Sequence, residues 1–204
     1  MLHLNTIDNN THKTLLSLLS KKYLANFSLV GGTALSLQYG HRKSIDLDLF
    51  SPEKFEPGIL EELIKIDYSD YVYRGNNTYM LFFDIGSVKT DLVYHPFGLL
   101  STIETTDNIR MFGIEDIAAI KCFAVCKRGT RKDFYDIWAL TQHFTPNEIA
   151  IFFTKKYGDE NLIFFKKSVL YFEEANGTDQ PEVLIKNLSW ETVKKSVFNS
   201  FINL

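Results

Sequence analysis

Leu15, Leu16, Leu18 and Leu19 recur at helical spacing and predict a first helix over residues 11–23. A short apolar run at 27–30 reads as a strand that stops at the pair Gly31-Gly32. From Thr33 the pattern TALSLQY turns helical and closes at Gly40, where a left-handed cap is expected. In HRKSIDLDLF, Ile45, Leu47 and Leu49 alternate with Asp46 and Asp48, the period of a strand with one apolar and one acidic face. Residues 55–66 predict a helix, and 79–85 and 88–94 predict two strands joined by a tight Gly86-Ser87 hairpin.

Two helical stretches fill 114–144, broken at Gly129-Thr130. Thr145-Pro146-Asn147-Glu148 is a capping box with Pro at the first helical position, and Gly158 marks the end of that helix. Residues 161–175 and 190–202 are two further amphipathic candidates. The expected fold is α+β, a small mixed sheet with flanking helices followed by a helical C-terminal half. Residues 1–110 form the α+β domain and 111–204 the helical region, with a soft boundary because no linker separates them cleanly.

Composition narrows the class. The 204 residues are 45% hydrophobic, 14% aromatic and 23% charged, which suits one domain with a full core and excludes wholesale disorder. No run reaches the ~18 apolar residues of a transmembrane helix. The start, MLHLNTIDNNTHK, has neither the basic nor the apolar part of a secretory signal, so the cytoplasm is the expected compartment and no membrane partner is expected. With 22 Lys plus Arg against 25 Asp plus Glu, bulk charge does not drive nucleic-acid binding, although a local basic patch still can. Cys122 and Cys126 sit four apart on one helix face, too awkward for a bridge and without histidines for zinc. Both read as buried small hydrophobes.

The chemistry concentrates in residues 31–48 together with Asp91. Asp46 and Asp48, two apart on a strand, project from one face about 7 Å apart along the chain. Asp91, in VKTDLVY, lies on a strand that could pair beside them. Three converging carboxylates repel one another unless a cation offsets the charge. A pair of Mg²⁺ ions, with Mn²⁺ as a substitute, does so and shares its coordination with substrate phosphates. Gly31-Gly32 before a helix lets backbone N–H groups approach a phosphate, and Thr33 adds a hydroxyl. Each feature alone has a plainer reading, a tight turn or a solvated strand edge. Their joint order, strand, Gly-Gly, helix, DxD strand and a later Asp strand, carries the argument.

These residues closely resemble the nucleotidyltransferases of the AbiEii/AbiGii toxin family, in the DNA polymerase β-like superfamily. The resemblance rests on Gly31-Gly32-Thr33-Ala34-Leu35, then Arg42, Ser44 and Asp46-Leu47-Asp48-Leu49-Phe50, and on IEDIAAIKCFAVCKRGTRKDFYDIWAL with Lys121, Arg128, Arg131, Asp133 and Asp136. It covers roughly residues 25–142. It implies transfer of a nucleoside monophosphate from an NTP to an acceptor, RNA such as tRNA or a protein, with release of pyrophosphate. Asp46, Asp48 and Asp91 would then hold metal, with Asp91 also a base for the acceptor hydroxyl, and Lys121 and Asp133 would join the catalytic set. Gly31, Gly32, Thr33, Arg42, Ser44, Arg128 and Arg131 would bind nucleotide. The resemblance further implies the toxin half of a toxin–antitoxin or phage-defence pair, with a cognate antitoxin.

The late segment has a reading of its own. Lys121 and Arg128 share a helix face, and Lys127, Arg128, Arg131 and Lys132 put four cations beside Gly129, able to grip phosphate. A solvated helix end would look similar. Asp133 falls in the first turn of the next helix, where a carboxylate is stabilised without catalytic duty, and Asp133 or Asp136 could instead orient Lys121 or Arg128. Two rival functions remain open. One is an inactive module on the same fold that binds nucleotide or a partner. The other is a small-molecule adenylyltransferase of the aminoglycoside-modifying kind.

Overall fold

A computed structural model describes all residues, 1–204. Its centre is a seven-stranded mixed sheet in the order β3-β4-β5-β2-β1-β7-β6. The strands are β1 (Ser28–Val30), β2 (Leu47–Ser51), β3 (Tyr71–Asn77), β4 (Met80–Ile85), β5 (Val88–Tyr94), β6 (Glu104–Thr106) and β7 (Ile109–Met111). β2 pairs with β5, and β1 with β7, in parallel; the other neighbours are antiparallel. The hairpin expected at Gly86-Ser87 joins β4 to β5, and Gly86 takes the positive φ of +57° that the turn requires.

Helices flank this sheet: α1 (Asn9–Leu19), α2 (Gly31–Tyr39) and α3 (Pro57–Asp67). Asp8 caps α1 by accepting from the Thr11 N–H at 2.8 Å, and Leu15, Leu18 and Leu19 face the core. Helix α2 starts two residues earlier than its pattern predicts, at Gly31 itself, and ends with Gly40 at φ +67°. The second half is helical as expected: α4 (Ile114–Lys127), α5 (Arg131–Thr141), α6 (Pro146–Tyr157), α7 (Leu162–Val169), α8 (Glu173–Asn176) and α9 (Trp190–Phe201). Reciprocal capping boxes open α5 (Thr130 with Asp133) and α6 (Thr145 with Glu148). One contiguous core of 41 buried residues runs from Ile7 to Phe201 and joins both halves. Cys122 is buried and Cys126 half-buried, and both are free thiols. No helix is long and apolar enough to cross a membrane.

Three strands escape the hydrophobic pattern. β3 is an edge strand with mostly exposed positions and a bulge between Tyr73 and Gly75, so it shows no clean alternation. β6 and β7 are three residues each, too short to display a period. The DxD segment differs in one detail: β2 begins at Leu47, so Asp46 stands just outside the ladder. Its carbonyl accepts instead from the Thr33 hydroxyl.

Candidate active site

The parallel pairing of β2 with β5 sets Asp48 directly opposite Asp91, and Leu47 opposite Thr90. Adjacent strands lie about 4.8 Å apart, so these two carboxylates share one patch of the sheet. The start of α2 packs against them. Gly31 has φ +71°, and a Cβ there would collide with the Asp48 carboxylate; a Cβ on Gly32 would collide with the Arg42 guanidinium. Glycine is therefore required at both positions, for backbone conformation at the first and for close approach at both.

The three carboxylates differ in company. Asp48 makes no ion pair, and burial followed by the neighbouring Asp91 charge pushes its carboxyl above the usual range. Asp91 is held by Arg74 of β3, which also meets Asp84 at 2.6 Å. Asp46 faces Lys132 at 3.3 Å.

Behind this chamber lies a buried ionic network. Asp136 of α5 accepts from Arg42 Nε at 2.7 Å, Arg42 Nη2 at 2.8 Å and His41 Nε2 at 2.7 Å, and it pairs with Lys121 Nζ at 2.8 Å. Lys121 also reaches Asp133 at 3.0 Å, and Asp133 takes Arg128 Nε at 3.1 Å. Burial raises both carboxyl pKa values, but the adjacent cations outweigh it and hold Asp136 and Asp133 below the ordinary carboxylate range. The same pairs keep Lys121 and Arg42 charged although both are buried.

Against the sequence expectations, Gly31, Gly32, Arg42, Ser44, Asp46, Asp48, Asp91, Lys121 and Arg128 converge on one cleft. Thr33 does not present its hydroxyl to that cleft, because it is buried, donates to the Asp46 carbonyl and shares a 2.8 Å hydrogen bond with Ser44 Oγ. It pins the loop carrying both residues. Asp133 is fully buried as the capping residue of α5 and contacts the cleft only through Lys121 and Arg128. Arg131 departs most. Its backbone N–H and guanidinium engage Thr178 and the Asn176 carbonyl, at 2.9 and 2.7 Å, and it stacks over Trp190. It belongs to the C-terminal segment, because its place at the start of α5 points it towards α8 and α9.

A model of the nucleotidyl transferase AbiEii toxin of type IV toxin–antitoxin systems matches residues 15–77. An uncharacterized protein of Aquifex aeolicus is 35% identical over 157 residues, covering 74% of this chain and 75% of its own. The chain belongs to the AbiEii nucleotidyltransferase toxin family. The folds agree. MenT4, a nucleotidyltransferase toxin of Mycobacterium tuberculosis, superposes with TM-score 0.59 at 13% identity over 96% of this chain and 82% of its own. JHP933 of Helicobacter pylori superposes with TM-score 0.55 at 19% identity over 96% and 92%. The stretch matched to the AbiEii model contains Gly31, Gly32, Asp46 and Asp48, while Asp91, Lys121 and Arg128 reach the same cleft from outside it.

The cleft of this AbiEii-family chain has two chambers. One is wholly polar, about 60 Å³, and Lys89 and Lys132 join the residues above in lining it. The other, about 380 Å³, is walled by aromatic side chains including Phe50, Phe97, Phe123 and Tyr157. Asp48, Lys121 and Arg128 border both.

The residues fit a divalent cation in one manner only. No three metal-ligating side chains stand together as a ready-made site, since Arg74 holds Asp91 and Lys132 faces Asp46. Asp48, recessed and without a cationic partner at contact distance, is the carboxylate that a cation would relieve. Mg²⁺ is commonly held by one or two carboxylates with substrate phosphates completing its shell, and this arrangement suits that mode.

Sequence reasoning missed Arg74, Lys89 and the aromatic chamber. Arg74 lies in the irregular edge strand, and Lys89 reads as an ordinary exposed residue of β5. The chamber is assembled from β2, the segment after β5, α4 and α6, which no short motif connects. The segment His95-Pro96-Phe97 directly after β5 was the available signal, a histidine and an aromatic placed where the strand leaves the sheet.

Proposed function

We propose that this chain transfers a nucleoside monophosphate from an NTP to an acceptor hydroxyl on RNA, such as tRNA, and releases pyrophosphate. On this reading it is the toxin of a cytoplasmic toxin–antitoxin pair whose antitoxin is a second protein, and residues 1–110 and 111–204 act as two lobes around one cleft. The observation that carries the reading is the register of Asp48 against Asp91 beside the glycines that open α2.

The residues divide the work. Gly31 and Gly32 let the start of α2 pack directly on the Asp48 carboxylate and the Arg42 guanidinium, and Gly32 brings the positive end of the helix dipole to the polar chamber, where it favours a phosphate. Arg128 and Lys132, at the rim, draw the triphosphate in, and Lys121 adds a cation fixed by Asp133 and Asp136. Asp48, joined by Asp46 and completed by substrate phosphates, would hold Mg²⁺, whose chemistry is to neutralise the triphosphate and polarise the phosphorus under attack. The acceptor oxygen bonds to the α-phosphorus as the bond to the bridging oxygen of pyrophosphate breaks. The hydroxyl proton passes to Asp91, which Arg74 aims.

The test is incubation with each α-³²P-labelled NTP, Mg²⁺ and total cell RNA, and in parallel with total cell protein. The reading predicts label on RNA with one or a few NTPs. Label on protein alone would move the acceptor to protein, and no label on either would overturn the transferase reading.

A further inference from the structure

His95 is a polar group in the aromatic chamber that the chemistry above does not use. It is 7% exposed, and its Nε2 has no hydrogen-bond partner. Its ring sits among Phe50 and Phe97, with centroids 5.3 and 5.0 Å away, and meets Tyr157 edge-on at 6.1 Å. Burial and the nearby Lys156 charge lower its pKa to about 4, so the imidazole is neutral near pH 7 and carries one donor and one acceptor. A buried polar atom left unpaired is costly, and in a native fold it calls for a partner.

The surroundings keep this ring in place. The buried pair Lys156–Asp116, at 2.6 Å, fixes the loop that follows His95: Asp116 accepts from the Leu100 N–H at 3.0 Å, and Lys156 donates to the Gly98 carbonyl at 3.0 Å. The chamber is continuous with the phosphate-facing cleft through Asp48, Lys121 and Arg128. Flat aromatic walls beside a charged cleft suit a planar heterocycle carried on a phosphate chain.

We propose that His95 is the residue that selects the base of the nucleotide, which stacks in the aromatic chamber while the imidazole hydrogen-bonds to one polar group on the base edge. This rests on the nucleotide reading above and adds which end of the nucleotide goes where. Only a base with a matching donor or acceptor satisfies the imidazole. A mismatched base leaves two buried polar groups unpaired.

Calorimetric titration of the whole chain with each of the four NTPs and with inorganic tripolyphosphate, in Mg²⁺ and without acceptor, tests this. The expected wild-type preference between best and worst base is about tenfold or more, falling to within about twofold in His95→Phe. Tripolyphosphate should bind both proteins alike, which shows that the variant is folded, and His95→Gln should restore part of the preference. The proposal is overturned if His95→Phe keeps the full preference, if wild type binds all four NTPs equally, or if NTPs bind no better than tripolyphosphate. Wild type that binds neither NTP nor tripolyphosphate would instead overturn the nucleotide reading itself.

Discussion

Asp136 accepts from His41 and Arg42 and pairs with Lys121, so its loss would leave Arg42 buried without a counter-charge and Lys121 with Asp133 alone. His95 is the opposite case, a buried group whose cost comes from having no partner. It titrates at about 4 in the fold against 6.5 for an ordinary histidine. Between those values the unfolded chain binds more protons, so stability falls as pH drops through that window, by at most about 3 kcal/mol. Asp133 and Asp136, held below the carboxylate range, lose their contribution only at lower pH. Urea unfolding from pH 7 to pH 5, above the window in which the paired carboxylates protonate, should therefore show a fall that His95→Phe largely removes; an equal fall in that variant would contradict the assignment. Asp46, Asp48 and the glycine pair were legible in sequence because they lie within 18 residues of one another. Asp136 and His41 were not readable as a pair, being 95 residues apart.

At the scale of elements, the basic turn between α4 and α5 divides in two. Arg128 closes α4, keeps 55% of its side chain exposed and borders both chambers. Arg131 opens α5 and ties it to the segment before α9. Arg128→Ala should weaken nucleotide binding by about 1–3 kcal/mol with little change in Tm. Arg131→Ala should lower Tm by roughly 2–4 °C, for a loss of about 1 kcal/mol, and leave nucleotide affinity unchanged. Titration and thermal melts of both variants check this, and the reverse pattern would contradict it. Spacing alone placed four cations near Gly129 but not their directions, because the helix that receives Arg131 enters from the far end of the chain. Elements with caps and a sustained period, such as α6 and the β4–β5 hairpin, were readable. β3, β6 and β7 were not, since an irregular edge and three-residue strands carry no period.

Across the whole molecule, one core binds the sheet to the helical half, and the cleft draws from both: carboxylates from β2 and β5, cations from α4, and Asp136 of α5 reaching back to Arg42. The parallel pairing of β2 with β5 makes Asp91 part of the site; the four central strands were readable one by one, but their order β4-β5-β2-β1 was not, because no local pattern states which strand pairs with which. Asp48 is the centre of this account, a carboxylate disfavoured by burial and by Asp91 until a cation joins it. The decisive measurement is pyrophosphate release by wild type and Asp48→Asn with Mg²⁺, acceptor RNA and each NTP, alongside a thermal melt of both. The account predicts turnover by wild type and a loss of about a thousandfold or more in Asp48→Asn, since several kcal/mol of charge stabilisation disappear. It also predicts a Tm for Asp48→Asn that is unchanged or higher, by about 2–4 °C per kcal/mol of repulsion relieved. Wild-type turnover in Asp48→Asn, or no pyrophosphate from wild type with any NTP, would contradict it.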